Sequence, residues 1–414
     1  AENWDGNFRD HLTFTLTAQS TSDIESVNLF YRVVGQLATS RNEAEFTPGQ
    51  EISAQFVLDQ TDPINYMPPG TDVEYWWKIT DVAGNELKTD PQTLTFLDNR
   101  YNWHNLKNDR LTLYWYNGDD DFGQALFDRA NVAIDTLQQD IGVALERPIK
   151  IFIYGNHNDL LGAISPTSQD WTGGQAFSEH SVVVIGIEPW QLDWGLNAMT
   201  HEMTHLVVHQ ATDNPYGDMP RWLDEGIAVY NENKDELVSD FRDTFNRAVK
   251  NDKLITLRTL SSPFPSDPAE AELAYGQSGS VVKFIVEHYG TDHMAKLLKI
   301  FGEGALYNDA LTQALGVDTD GLDNAFRASL GLPPLPGTDT EPSAVEAPAQ
   351  PAAPVLATEA AGAPAQAAVG IEVKPAATPV PPAEKSGPLA AIPCLAGLVA
   401  LLFMGGLLYG HRAG

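Results

Sequence analysis

The sequence predicts a multidomain protein. An all-β sandwich comes first, an α+β domain second, then a disordered linker and one transmembrane helix. Three observations carry this. Up to Asn99 the apolar residues alternate in short runs separated by turn-rich breaks, with no helical period. After Asn99 helical spacing takes over, with a few buried strands among the helices. From Pro333 the composition collapses into Pro, Ala, Thr, Val and Glu, and an apolar, uncharged run follows. The resulting division is 1–99, 100–332, 333–387 and 388–410, with a short tail at 411–414.

Length and charge bound the function. The 414 residues suffice for two ordinary domains plus extras. There are 56 acidic against 25 basic residues, a net charge of −31 that repels phosphate backbones and argues against nucleic-acid binding. A single cysteine, Cys394, allows no intrachain disulfide.

In the first region, His11–Gln19, Val27–Val34, Glu51–Leu58, Val73–Ile79 and Gln92–Phe96 read as strands. Trp76 and Trp77 are adjacent, so in a strand they face opposite sides, one of them inward. The run Pro68-Pro69-Gly70-Thr71-Asp72-Val73-Glu74-Tyr75, followed by Thr80-Asp81-Val82-Ala83-Gly84-Asn85, resembles bacterial fibronectin-type-III or immunoglobulin-like modules. Nothing in it looks catalytic. The module reads as a spacer or as a platform for a surface partner.

In the second region, Leu111–Tyr116 is a strand and Phe122–Ile141 a helix. Asp119, Asp120 and Asp121 precede that helix and read as its cap and first turn rather than a calcium loop, whose spacing is missing. Pro148–Tyr154 and Ser181–Ile187 are buried strands. The second of them, just before the next helix, is expected to offer a free edge to an extended peptide. That helix, Asn197–Gln210, is expected to be amphipathic, capped by Asp193 or Asn197, with Met199, Met203 and Leu206 on its apolar face. A further helix spans Pro220–Tyr230, and its Gly226 and Ala228 are expected to let it pack closely on the first. More helices follow at Glu236–Val249, Ala274–Tyr289, His293–Phe301, Asp309–Leu315 and Asp320–Leu330.

The helix over 197–210 carries His201-Glu202-Met203-Thr204-His205, an H-E-x-x-H pattern. Histidines four apart lie one turn apart on one helix face, where two imidazoles can bind one zinc with Glu202 beside them to handle a proton. A third ligand is needed. The metzincin pattern would place Gly at 208 and His at 211, but the sequence has Val208 and Ala211. His209 is two turns from His201, and one straight helix does not easily bring three successive turns onto one tetrahedral ion, so it reads as a pocket-side or packing residue. Asp224 points about 100° away from its neighbour Glu225 on a helix. Asp213 and Asp218 lie in a connecting loop. Glu225 is the best candidate.

At HEMTH plus Trp222-Leu223-Asp224-Glu225-Gly226-Ile227-Ala228 the chain resembles the gluzincins, thermolysin-like zinc peptidases. It is more closely similar to the bacterial Peptidase-MA-like families. Their Pro-x-Trp-Leu-x-Glu-Gly-Ile/Leu-Ala matches Pro220 to Ala228, and their Ala-Tyr-x-Gln-Ser matches Ala274-Tyr275-Gly276-Gln277-Ser278. The resemblance covers roughly 101–332 and implies a thermolysin-like domain. It implies Zn2+ on His201, His205 and Glu225, Glu202 as general base, and Tyr275 as the oxyanion donor, with His288 and His293 as weaker candidates. The Gly-Ala-Met-Glu-Asn signature of the related M1 aminopeptidases is missing, so an endopeptidase is expected.

The linker has no means of forming a core. Its Leu335-Pro336-Gly337-Thr338-Asp339 resembles a sortase signal but lies too far from the apolar run. Residues 388–410 are 23 uncharged positions, long enough to span a bilayer as a helix. His411 and Arg412 follow, which puts the tail in the cytoplasm and the acidic bulk outside. Gly406 and Gly410 form a G-x-x-x-G. The expectation is a membrane-anchored, extracytoplasmic zinc peptidase acting on peptides or proteins. The competing readings are a non-catalytic surface adhesion protein on a peptidase-like fold and a zinc hydrolase of non-peptide bonds.

Overall fold

The computed structural model describes residues 1–164, 173–233, 237, 239–265 and 267–337. The linker beyond 337, the apolar run 388–410 and the tail 411–414 lie outside them. Among the described residues no helix is long and apolar enough to cross a membrane.

Seven strands form the first sheet: β1 (Glu2–Asn7), β2 (His11–Val33), β3 (Ser40–Glu43), β4 (Gly49–Asp59), β5 (Thr71–Asp81), β6 (Glu86–Lys88) and β7 (Gln92–Phe96). Two expected strands, His11–Gln19 and Val27–Val34, are one long strand here. The segment between them, Ser20 to Ser26, has no Gly or Pro to turn the chain. A register shift between Gln19 and Ile24 instead lets β2 leave β4 and pair with β5. Trp77 is the inward tryptophan, fully buried. Trp76 faces out, stacked on Phe30 at 5.7 Å with Lys88 over its ring. The Asp81–Asn85 hairpin closes on Asp81, whose Oδ1 accepts from the backbone N–H of Ala83 and Asn85.

The second sheet is built from β8 (His104–Lys107), β9 (Leu111–Trp115), β10 (Ile149–Tyr154), β11 (Gly174–Phe177) and β12 (Val182–Gly186), in the order β11-β12-β10-β9-β8. The central strands β9, β10 and β12 run parallel and the two edges antiparallel. The continuous apolar runs of β10 and β12 now have a cause, because both faces of the sheet are covered. Ile149, Ile151, Ile153, Val183 and Ile185 join the core made with the helices. Phe152, Tyr154, Val182 and Val184 join the core of the first sheet. The first module is therefore more than a spacer, since it supplies the layer that closes one face of the second sheet. Polar contacts fix this seam. Asp98, fully buried, accepts from the Tyr154 hydroxyl at 2.8 Å and from Arg100 Nη2 at 2.7 Å. Lys150 Nζ donates to the Gly70 carbonyl at 2.7 Å and pairs with Asp72.

The helices are α1 (Asp120–Thr136), α2 (His157–Leu161), α3 (Leu192–Thr212), α4 (Arg221–Glu232), α5 (Ser239–Lys250), α6 (Leu257–Leu260), α7 (Pro268–His288), α8 (Thr291–Gly302), α9 (Tyr307–Leu315) and α10 (Thr319–Ser329). Asp119 caps α1, accepting from Phe122 N, with Asp120 and Asp121 in the first turn. α3 begins earlier than expected. A short turn at Pro189–Gln191 leads into it, and neither Asp193 nor Asn197 caps it; Asp193 sits in its first turn. Nor is α3 amphipathic. Every residue from Met199 to Val208 is buried, because α1, α4, α8, β11 and β12 surround the helix. Gly226 also serves a different neighbour from the one expected. A Cβ there would lie 2.6 Å from the Ser278 carbonyl oxygen, so its missing side chain lets α4 approach α7 rather than α3.

Candidate metal centre

α3 and α4 lie against each other, and their facing turns build the site. His201 and His205, one turn apart on α3, present Nε2 toward α4, where Glu225 meets them. Glu225 Oε2 is 3.1 Å from His201 Nε2 and 3.5 Å from His205 Nε2. Two atoms held about 2.0–2.1 Å from a tetrahedral ion are about 3.3–3.4 Å apart, so these separations fit zinc. The three ligand atoms lie within 4.8 Å of one another and all three residues are buried.

The other imidazole nitrogens are bonded too. His201 Nδ1 donates to Glu232 Oε1 at 2.7 Å, and His205 Nδ1 donates to Asp224 Oδ1 at 2.8 Å. A carboxylate on Nδ1–H leaves the Nε2 lone pair free for a metal and makes it a better donor. Four carboxylates, those of Glu202, Asp224, Glu225 and Glu232, are thus buried around two imidazoles. So much buried negative charge requires positive charge in the same volume. The donor set fits a divalent ion.

The electrostatics show the same surplus of negative charge, which favours protons on the imidazoles until a metal ion displaces them. Burial alone would lower His201, but hydrogen bonds to Glu225 and Glu232 outweigh it and raise the ring to about 9. Burial opposes ionisation of Glu225, yet Arg221 and the imidazoles hold its carboxyl below the ordinary range. Burial raises Glu202, which is the direction a general base near neutrality needs. Glu202 Oε2 is buried with no hydrogen-bond partner among the described residues. Its side chain lies against the edge strand β11. A Cβ on Gly174 would come within 3.1 Å of Glu202 Cγ.

Tyr275 lies well inside α7, in its second turn, because Asp267 caps that helix earlier than expected. Its ring stacks on Phe241 at 5.7 Å and sits 6.3 Å from the His201 ring. Burial, and then the Glu225 charge, push its phenol well above the usual value, so it stays protonated. His209 is not brought to the three convergent atoms. Its Nε2 bonds Asp224 Oδ1 at 3.1 Å and its Nδ1 meets Ser178 Oγ at 3.3 Å. His288 is 13 residues beyond Tyr275 (288 − 275), about 20 Å along α7, and packs on Phe284. His293 faces Tyr289. Among the described residues β11, not the strand before α3, is the edge strand on the side of Glu202, because β12 is enclosed between β10 and β11.

Sequence reasoning does not find Glu232, Arg221 or Arg129. Glu232 is seven residues after Glu225, two turns on the same helix face, so the helical period contains it. Arg221 is one turn before Glu225 and pairs with its Oε1 at 2.5 Å. Arg129 comes from α1, donates to Thr200 Oγ1 at 3.0 Å and to the Glu232 carbonyl, and has no local sequence signal.

Residues 129–331 match the model of the Peptidase MA superfamily. That span contains every residue of the site and supports a peptidase there. No curated protein matches the chain. Among solved structures, an M1 zinc metallopeptidase from Deinococcus radiodurans is similar over 80% of this chain and 93% of its own, at 12% identity and a TM-score of 0.34. An aminopeptidase N family protein from Idiomarina loihiensis is similar over 75% and 72%, at 10% identity and 0.37. A GH family 64 β-1,3-glucanase from Paenibacillus barengoltzii shares 29% of this chain, which spans only 27% of the glucanase, at 12% identity and 0.16. These scores are too low to establish a common fold over the whole chain.

Proposed function

We propose that the chain is a zinc-dependent endopeptidase, held at a membrane surface by residues 388–410 with its catalytic region outside the cell. The observation that carries the peptidase reading is the convergence of His201 Nε2, His205 Nε2 and Glu225 Oε2, next to a buried Glu202 oxygen with no hydrogen-bond partner among the described residues. The anchor rests on the 23 uncharged residues alone.

His201, His205 and Glu225 would hold the ion. Zinc bound there supplies a Lewis acid and lowers the pKa of water toward neutrality. Glu202 takes the proton of the attacking water and returns it to the leaving amine. Its raised pKa suits both halves of that task. Tyr275, kept protonated by burial, donates to the oxyanion. Glu232 and Asp224 hold the two imidazoles in one tautomer. An extended peptide would add as a further strand beside β11, the edge strand on that side of the sheet among the described residues, with its scissile bond beside Glu202.

The test is zinc content together with hydrolysis of a mixed peptide library, comparing the native chain with Glu202→Gln. Bound zinc in both, with activity lower by about 10²–10⁴ in the variant, is the expected result. Equal activity in the two, or no zinc in the native chain, sinks the reading. Membrane fractionation of the full chain against one ending at 387 tests the anchor.

A further inference from the structure

We propose that Arg221 is a positioning residue that makes Glu225 a one-oxygen ligand; this rests on the zinc reading above. The two oxygens of Glu225 have separate neighbours. Oε2 faces the Nε2 atoms of both histidines, at 3.1 and 3.5 Å. Oε1 meets Arg221 Nη2 at 2.5 Å. The other guanidinium nitrogen, Nη1, is 4.0 Å from Asp224 Oδ2, so one cation touches both the ligand carboxylate and the carboxylate that orients His205.

The placement is not what helix energetics favour. Arg221 is the first residue of α4, and a cation in a first turn opposes the helix dipole. The gain lies in the side chains one turn on, where Asp224 and Glu225 are buried and need a counter-charge. The contact with Oε1 is one of charge. Its N–H direction is not aligned for a hydrogen bond, and Oε1 has no hydrogen-bond partner among the described residues. Without the guanidinium, Oε1 is a buried anionic oxygen whose nearest relief is rotation toward the ion. A carboxylate binding through both oxygens fills the position that a catalytic zinc site keeps open. Arg221 thus separates the roles of the two oxygens, one for charge pairing and one for the metal.

The test uses the full chain with Arg221→Gln and Arg221→Lys. Metal affinity is read by competition with a chromophoric chelator, and coordination number by the visible spectrum of the cobalt(II)-substituted protein. The native chain should bind zinc and give the intense band of a four-coordinate cobalt site. Arg221→Gln should weaken that band, as a fifth donor enters, and lower zinc affinity by about tenfold, the scale for losing a partner of a metal ligand. Arg221→Lys, which keeps the charge, should retain the native spectrum and most of the affinity. A native spectrum and affinity in Arg221→Gln overturns the proposal. So does an altered spectrum in Arg221→Lys, and that variant decides the matter if Arg221→Gln does not fold. Failure of the native chain to bind zinc instead overturns the parent reading.

Discussion

His201 and Glu232 are joined by a 2.7 Å hydrogen bond from Nδ1 to Oε1, on the side of the ring opposite Glu225. One helix, α4, therefore supplies both the carboxylate that meets the metal-facing nitrogen and the one that steadies the far nitrogen. Seven residues separate them (232 − 225), so a single helix rotation sets both contacts.

Removing the outer carboxylate should weaken metal binding without emptying the ligand set. In Glu232→Ala the His201 ring loses its fixed tautomer, and zinc affinity should fall by about 10–100-fold. Glu232→Gln, whose amide oxygen still accepts from Nδ1–H, should fall less. Chelator competition on both variants checks this order. Equal losses would mean that the negative charge of Glu232, not its acceptor position, is what matters.

Gly174 on the edge strand is expected to be intolerant of any side chain. An added Cβ would stand 3.1 Å from both Glu202 Cγ and Ile185 Cγ1. Ile185 belongs to a close-packed core and has little room to yield, so Glu202 must shift. Gly174→Ala should lower kcat by about tenfold while zinc content stays native, less than the roughly 100-fold of a 1 Å misplacement, because Glu202 need shift by only a fraction of an ångström. Steady-state kinetics with zinc analysis on the same sample decides this. Native kcat in Gly174→Ala would remove Glu202 from the role of base or show that β11 moves aside.

The two motifs on α3 and α4 were legible in the sequence because each is local. His201, Glu202 and His205 fall within five positions, and helical geometry alone places them. The turn of α4 sets Asp224 about 100° from Glu225, but its partners, His205 and His209, come from another helix. Arg129 is 103 residues from Glu232 and 71 from Thr200, so only the packing of α1 reveals it. The same limit applies to α3, whose burial on every side from Met199 to Val208 depends on distant elements. Periodicity reports where apolar residues sit; it does not report how many neighbours will surround the helix. The single strand β2 was split for a related reason, since a polar stretch within a long bent strand looks like a turn.

A pH dependence should arise in the first module. Asp81 is held down to about 2, first by the Asn85 amide and then by the Ser20 hydroxyl, with backbone donors adding to them. A carboxylate whose folded value is depressed stabilises the fold above its unfolded value, here near 3.8. That contribution is lost as the pH falls from about 4 toward 2. Denaturant midpoints measured across that window should fall for the native chain. Asp81→Asn should be less stable at neutral pH and should vary less over the same window. A native slope in the variant would assign the acid sensitivity to other carboxylates.

Cutting the chain at residue 99 should destroy the catalytic region rather than release it. Phe152, Tyr154, Val182 and Val184 are fully buried against the first module, and Leu160, Ala163 and Ile164 share that core. Exposing a buried side chain of this size costs about 1.5–3 kcal/mol, so the four strand residues alone amount to about 6–12 kcal/mol. The whole stability of a domain is only about 5–15 kcal/mol. The ion pair of buried Asp98 with Arg100 and the Tyr154 hydroxyl bond to Asp98 would be broken as well. A chain beginning at residue 100 should therefore be insoluble or lack a cooperative melting transition, whereas the full chain melts cooperatively. Subtler evidence should come from Phe152→Ala in the full chain, which leaves a cavity at the seam and should cost about 3–5 kcal/mol. If the shortened chain instead folds, binds zinc and cleaves peptides, the seam is a docking contact between two independent domains, and the first module is free to serve as a platform after all.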